Sequence, residues 1–219
     1  AIHAVFIGTP GSFNNSTSVD ITQTVNQKSL TGTFTVTANK VYDGNTSATV
    51  QTRTLTGVVG ADAVSLTGGT AAYINANVGT GKVVTLTGAT LTGTAAGNYS
   101  LTSVNTTTAN ITALGITGNF TVTASKVYDG TTTAVVQTRT LNGVVVGDAA
   151  NVSLTGGTAA YNNANVGTGK VVTLTLATLT GTAAGNYSLT SVNTTTANIT
   201  ALGITGSFTG VNKIGRAHV

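Results

Sequence analysis

The chain has 219 residues, only 6% of them charged, and it contains no Cys and no Glu, so disulfides, thiolate metal sites and thiol catalysis are excluded. Its formal charge of +4 is too small and too scattered for a nucleic-acid surface, and no apolar run is long enough to span a bilayer as a helix. Ordinary soluble domains carry about 25% charged residues. Here Thr, Val, Ala, Gly and Asn take their place, so hydroxyls and amides supply the polarity. Branched Thr and Val fit a pleated surface, whereas Gly and Asn fit turns. An all-β chain is expected.

In chain order, residues 1–31 read as the end of a preceding repeat or as a linker. The chain begins with Ala rather than Met, so its natural amino terminus is expected upstream. Strand-like runs then follow, separated by turn signals. They are TFTVTA (33–38), ATVQTRTL (48–55), AVSLT (63–67), TAAYI (70–74), KVVTLTGATLTG (82–93), YSLTSV (99–104) and TTANIT (107–112). FTVTA and VVTLT alternate apolar residues with Thr, which places the two kinds on opposite faces. The segment ALGITGNF (113–120) reads as a short, partly apolar linker, stiff enough to make a rod rather than freely jointed beads.

The same runs then return. Tyr42 recurs as Tyr128 at an offset of 86, and after a two-residue expansion in the loop at 144–151 the offset becomes 88. Residues 65–118 match 153–206 except at Ile74/Asn162 and Gly88/Leu176. This predicts one module over 32–117, a second over 118–205 and the start of a third over 206–212. The tail 213–219, KIGRAHV, resembles the conceptual translation of a sequencing adapter and is set aside. About seven short strands per module suggest tandem immunoglobulin-like antiparallel β-sandwiches in an elongated array. AAGNYSL (95–101) and its copy resemble a tyrosine corner, with Tyr99 and Tyr187 bonding back to nearby backbone.

The most polar stretch is NKVYDGNTSA (39–48), repeated as SKVYDGTTTA (125–134). Lys, Tyr, Asp and Gly side by side could be a catalytic site, a metal loop or a turn. Catalysis lacks partners, because His3 and His218 are the only histidines and lie outside the modules. Calcium needs six to eight oxygen ligands, and Asp62 and Asp148 stand singly in loops, where they read as turn residues. A Lys–Asn isopeptide bond would draw on Lys40, Lys82 and Asp43, but lacks the acidic Glu. The sequons at Asn98, Asn105 and Asn110 are expected by chance in such a composition. GTGK (79–82) lacks the rest of a phosphate loop and reads as a hairpin turn. No cofactor or metal is expected.

The turn reading remains. Asp43–Gly44 and Asp129–Gly130 form a turn dipeptide in which Gly takes positive φ and Asp accepts local N–H bonds. Tyr42 and Tyr128 offer a ring and a hydroxyl at the module end, and Lys40 and Lys126 stay solvated. Tyr73 and Tyr161 are the aromatic residues best placed to contact a sugar, although each sits in a strand-like run.

The order KVYDG-x-T, L-x-GVV, GD or AD, VGTGK-VT, L-x-GTAAGNY-L and ANIT resembles the YDG domain over 34–112 and again over 120–200. That resemblance implies a bacterial surface or secreted protein of the filamentous haemagglutinin and adhesin kind. It implies an extracellular location, an Ig-like β fold and no catalytic residues. Two roles follow as expectations. Either the modules are structural spacers whose partners are neighbouring repeats, or they bind a host glycan or protein through end loops.

Overall fold

The computed structural model describes residues 4–12, 15–211 and 215. His3 and His218 lie outside them, as do Asn212 and the adapter-like tail apart from Gly215. Two short strands open the chain, β1 (Val5–Phe6) and β2 (Ser16–Thr17), which pair antiparallel.

The first repeat follows. Its strands are β3 (Lys28–Val36), β4 (Asn39–Val41), β5 (Ser47–Ala48), β6 (Val50–Thr56), β7 (Ser65–Tyr73), β8 (Gly79–Thr92), β9 (Tyr99–Val104) and β10 (Thr107–Thr112). They form a three-stranded sheet β6-β3-β9 and a five-stranded sheet β4-β10-β8-β7-β5. The second repeat supplies β11 (Leu114–Val122), β12 (Ser125–Val127), β13 (Val136–Asn142), β14 (Ser153–Tyr161), β15 (Gly167–Thr180), β16 (Tyr187–Val192) and β17 (Thr195–Thr200). Their sheets are β13-β11-β16 and β12-β17-β15-β14. An isolated bridge between Thr133 and Ala160 stands where β5 pairs with β7 in the first repeat. Short 3-10 turns at Ala96–Asn98, Val146–Asp148 and Ala184–Asn186 complete the described elements.

The all-β expectation holds, but uniform antiparallel pairing does not. β3 runs parallel to β9, β11 parallel to β16 and β12 parallel to β17. A long connection lets each first strand enter its sheet beside a strand from the far end of the repeat.

Three expectations about elements are corrected. The runs at 63–67 and 70–74 merge into one strand, β7 (Ser65–Tyr73), because the Gly pair between them does not end the ladder. GTGK opens β8 instead of forming a separate hairpin turn. Residues 113–120 are no linker. They lie largely in β11, where Ile116 is 2% exposed and Phe120 is buried.

Contacts divide the chain into two compact units. The first holds residues up to Lys40 together with Asn45–Asn110; the second holds Val41–Gly44 together with residues from Ile111 onward. In the second unit one core joins both sheets: Phe120 of β11, Ala159 and Tyr161 of β14, Val172 and Leu174 of β15, and Ala197 and Ile199 of β17. In β14 the buried residues are Leu154, Ala159 and Tyr161, with more exposed residues between them. Burial of each large apolar side chain among them, such as Phe120, Val172, Leu174 and Ile199, contributes about 1.5–3 kcal/mol. The first unit buries the equivalent Phe34, Leu66, Ala71, Tyr73, Val84 and Leu86.

The opposite face is a hydroxyl surface. Thr35 and Thr52 pair at 2.6 Å, as do Thr121 and Thr138, and Thr33 bonds Thr54. Cross-strand Thr pairs hold the register of β3 on β6 and of β11 on β13 without any charge.

Candidate functional site

The KVYDG stretch forms a short strand and a tight turn. Gly44 and Gly130 have φ of 78° and 77°, the left-handed region that favours glycine. Asp129 Oδ1 accepts the Thr131 backbone N–H at 2.9 Å and lies 2.7 Å from Lys126 Nζ. That ion pair, with the Thr131 bonds, holds the Asp129 carboxyl down at about 2.

The lysines are not solvated as expected. Lys40 Nζ donates to the carbonyls of Asn45 and Ser47 and to Asn45 Oδ1. Lys126 Nζ donates to the Thr131 and Thr133 carbonyls. Each ammonium also lies over a core tyrosine, 5.9 Å from the Tyr73 ring centre for Lys40 and 5.8 Å from that of Tyr161 for Lys126. The carbonyls and the ring face replace water around the charge. Lys40, Lys126, Asp129 and the two turn glycines thus have structural uses. Tyr73 and Tyr161 are each only 4% exposed, with their hydroxyls 3.3 Å from the Asn110 and Asn198 carbonyls. Neither ring can stack on a sugar, so the sugar contact expected of them is withdrawn.

The tyrosine corners do more than bond nearby backbone. Tyr99 accepts the Val59 N–H at 3.0 Å and donates to the Asp62 carboxylate at 2.6 Å. Tyr187 accepts the Val145 N–H at 3.2 Å and donates to Asp148 at 2.6 Å. The Asp62 carboxylate raises the Tyr99 hydroxyl pKa. Burial, reinforced by Asp148, pushes Tyr187 up to about 12. Asp62 and Asp148 therefore tie a long loop to the start of β9 or β16 and are more than turn residues. The available signal was their recurrence, one per repeat, in a chain with only five acids.

Asp148 has a second partner. Val41–Gly44 belongs to the second unit, and within it Tyr42 donates to Asp148 Oδ2 at 2.7 Å. The Tyr42 ring meets Tyr187 edge-on, with centroids 5.4 Å apart at 79°. Such pairs add about 0.5–1.5 kcal/mol beyond the area they bury. Burial first, and then Asp148, raise the Tyr42 pKa. The equivalent Tyr128 has a different setting. Its backbone N–H reaches the Thr200 carbonyl as that of Tyr42 reaches Thr112, but its side chain is 41% exposed against 5% for Tyr42.

This arrangement is suited to holding loops. Among the described residues no cluster of three or more His, Cys, Asp or Glu side chains could hold a metal ion, and no helix is long and apolar enough to cross a membrane. Two grooves lie beside Arg139 and Arg53, whose guanidinium groups donate to the Gly156 and Gly68 carbonyls.

A family model described as the YDG domain matches residues 26–109 and again 110–197. No curated protein and no solved structure matches the chain.

Proposed function

Because the chain belongs to the YDG-domain family, we propose that it is a run of spacer modules in the stalk of a large bacterial surface or secreted adhesin of the filamentous haemagglutinin kind. In this reading each module is an immunoglobulin-like two-sheet sandwich, the modules form an array, and the array is extracellular. It performs no catalysis. One observation carries the proposal: most polar residues of the family signature are spent on structure. Lys40 and Lys126 bond turn carbonyls, Asp129 pairs with Lys126, and Tyr42, Tyr99 and Tyr187 meet Asp62 or Asp148. A ligand site would keep such groups open and convergent. The hydroxyl-rich, weakly charged surface supports a role in which the module itself recognises little.

The test is binding of the purified chain to a glycan array and to host-cell surfaces. A spacer gives no saturable signal at micromolar concentration. Saturable binding by the folded chain would replace this reading with that of a ligand-binding module.

A further inference from the structure

The two copies of the tyrosine–aspartate arrangement are not in the same state. In the second unit Asp148 receives two hydroxyls, from Tyr187 and from Tyr42, and Asn186 also bonds Tyr42. In the first unit the equivalent Asp62 receives the Tyr99 hydroxyl. Accessibility follows the same division. Asp148 is half-buried and Asn186 is 8% exposed, whereas Asp62 and Asn98 are both exposed. The Gln27 side chain touches this rim at the Gly97 carbonyl, at 2.9 Å. On the donor side Tyr42 is buried and Tyr128 is 41% exposed. A Cβ at Gly44 would meet the Val145 side chain at 3.0 Å, whereas one at Gly130 meets nothing. Among the described residues one acceptor is filled by a YDG tyrosine, and one acceptor and one YDG tyrosine are open.

We propose that Tyr128 is a docking group for the aspartate–tyrosine acceptor of another such repeat, and that for this chain the occupant is the Asp62–Tyr99 acceptor of a second copy. The observed Tyr42–Asp148–Tyr187 contact supplies the geometry: hydroxyl to carboxylate oxygen, ring edge against the corner tyrosine. Donor and acceptor are different surfaces, so the contact is heterologous. Each added copy leaves one donor and one acceptor open, and association continues head to tail rather than closing as a dimer. The contact is small, so it is weak between separate chains and is greatly favoured where a linker holds the partners at millimolar effective concentration. The inference stands apart from the stalk reading, since a host-binding module could associate in the same way.

The test is sedimentation equilibrium of the full chain from about 10 μM to about 1 mM, the range in which a lone contact of this kind competes with a tethered one. A weight-average mass that climbs with concentration is expected. Tyr128→Ser and Asp62→Asn should each weaken the association by about tenfold or more, since each removes a hydrogen bond to a charged group. Tyr128→Ser is the cleaner variant, because an exposed side chain can be removed without unfolding the unit, and its melting curve confirms that. Tyr42→Phe should lower stability and leave association unchanged. A chain that stays monomeric throughout, or an association indifferent to Tyr128→Ser in the folded protein, overturns the proposal.

Discussion

Leu176 is the one non-glycine residue with positive φ among the described residues, at 59°, where the first repeat has Gly88 at 72°. Its side chain is 87% exposed, so little packing offsets the strain. A left-handed non-glycine residue costs about 1–2 kcal/mol. Leu176→Gly is therefore expected to stabilise the second unit by about 1 kcal/mol and raise its melting midpoint by about 4–8 °C; a calorimetric scan checks it. Glycines at two other positions are held by different forces. At Gly130 the φ of 77° is the whole constraint, because a Cβ meets nothing. At Gly181, with φ of 115°, a Cβ would also collide with the Asn151 carbonyl oxygen. Gly130→Ala should cost about 1–2 kcal/mol, and Gly181→Ala clearly more, read as the difference between their denaturant midpoints. The positive φ at Gly44 and Gly130 was legible from the Asp-Gly dipeptide. The partners of Asp62 and Asp148 were not, because they are set by loops that return from about 40 residues away in sequence.

Among the elements, β11 makes the sharpest case. A linker would tolerate Ile116→Ala at little cost. In β11 the side chain is 2% exposed and its strand is central in β13-β11-β16. Ile116→Ala should therefore destabilise the second unit by about 2–5 kcal/mol in chemical denaturation. Alternation marked 34–38 and 83–87 as strand-like because one face of each is apolar. It missed the continuity of β7 because Gly68 and Gly69, with φ of 65° and 80°, look like a turn pair. They remain within a strand because β8 answers them with Gly88 and keeps the ladder on either side. A local rule cannot see the partner strand that decides between a kink and a stop.

For the whole chain, so few titratable groups predict a stability that is nearly flat across neutral pH. Two limbs bound it. The depressed Asp129 pKa means that its contribution is present above the unfolded value near 4 and is lost as pH falls through about 2. Tyr187 has the opposite sign. Its pKa is raised to about 12, so its contribution is complete below pH 10 and is lost as pH rises through 12. Tyr42, Tyr73 and Tyr99 are raised as well and act in the same direction. Melting temperatures from pH 2 to 12 should show the plateau and both limbs, and Asp129→Asn should flatten the acid limb.

By itself the sequence determined the β class, the two repeats, the apolar face of the alternating strands and the lack of Cys and Glu. Each of these follows from composition, period or inventory, which are local or countable. Only the tertiary structure decided the parallel pairings, the inclusion of residues 114–120 in a core strand, and the capture of Tyr42 by Asp148 while Tyr128 stays open. Those outcomes depend on which distant groups meet. Tyr42 and Tyr128 share the same local motif, so only their surroundings in the folded chain can tell them apart.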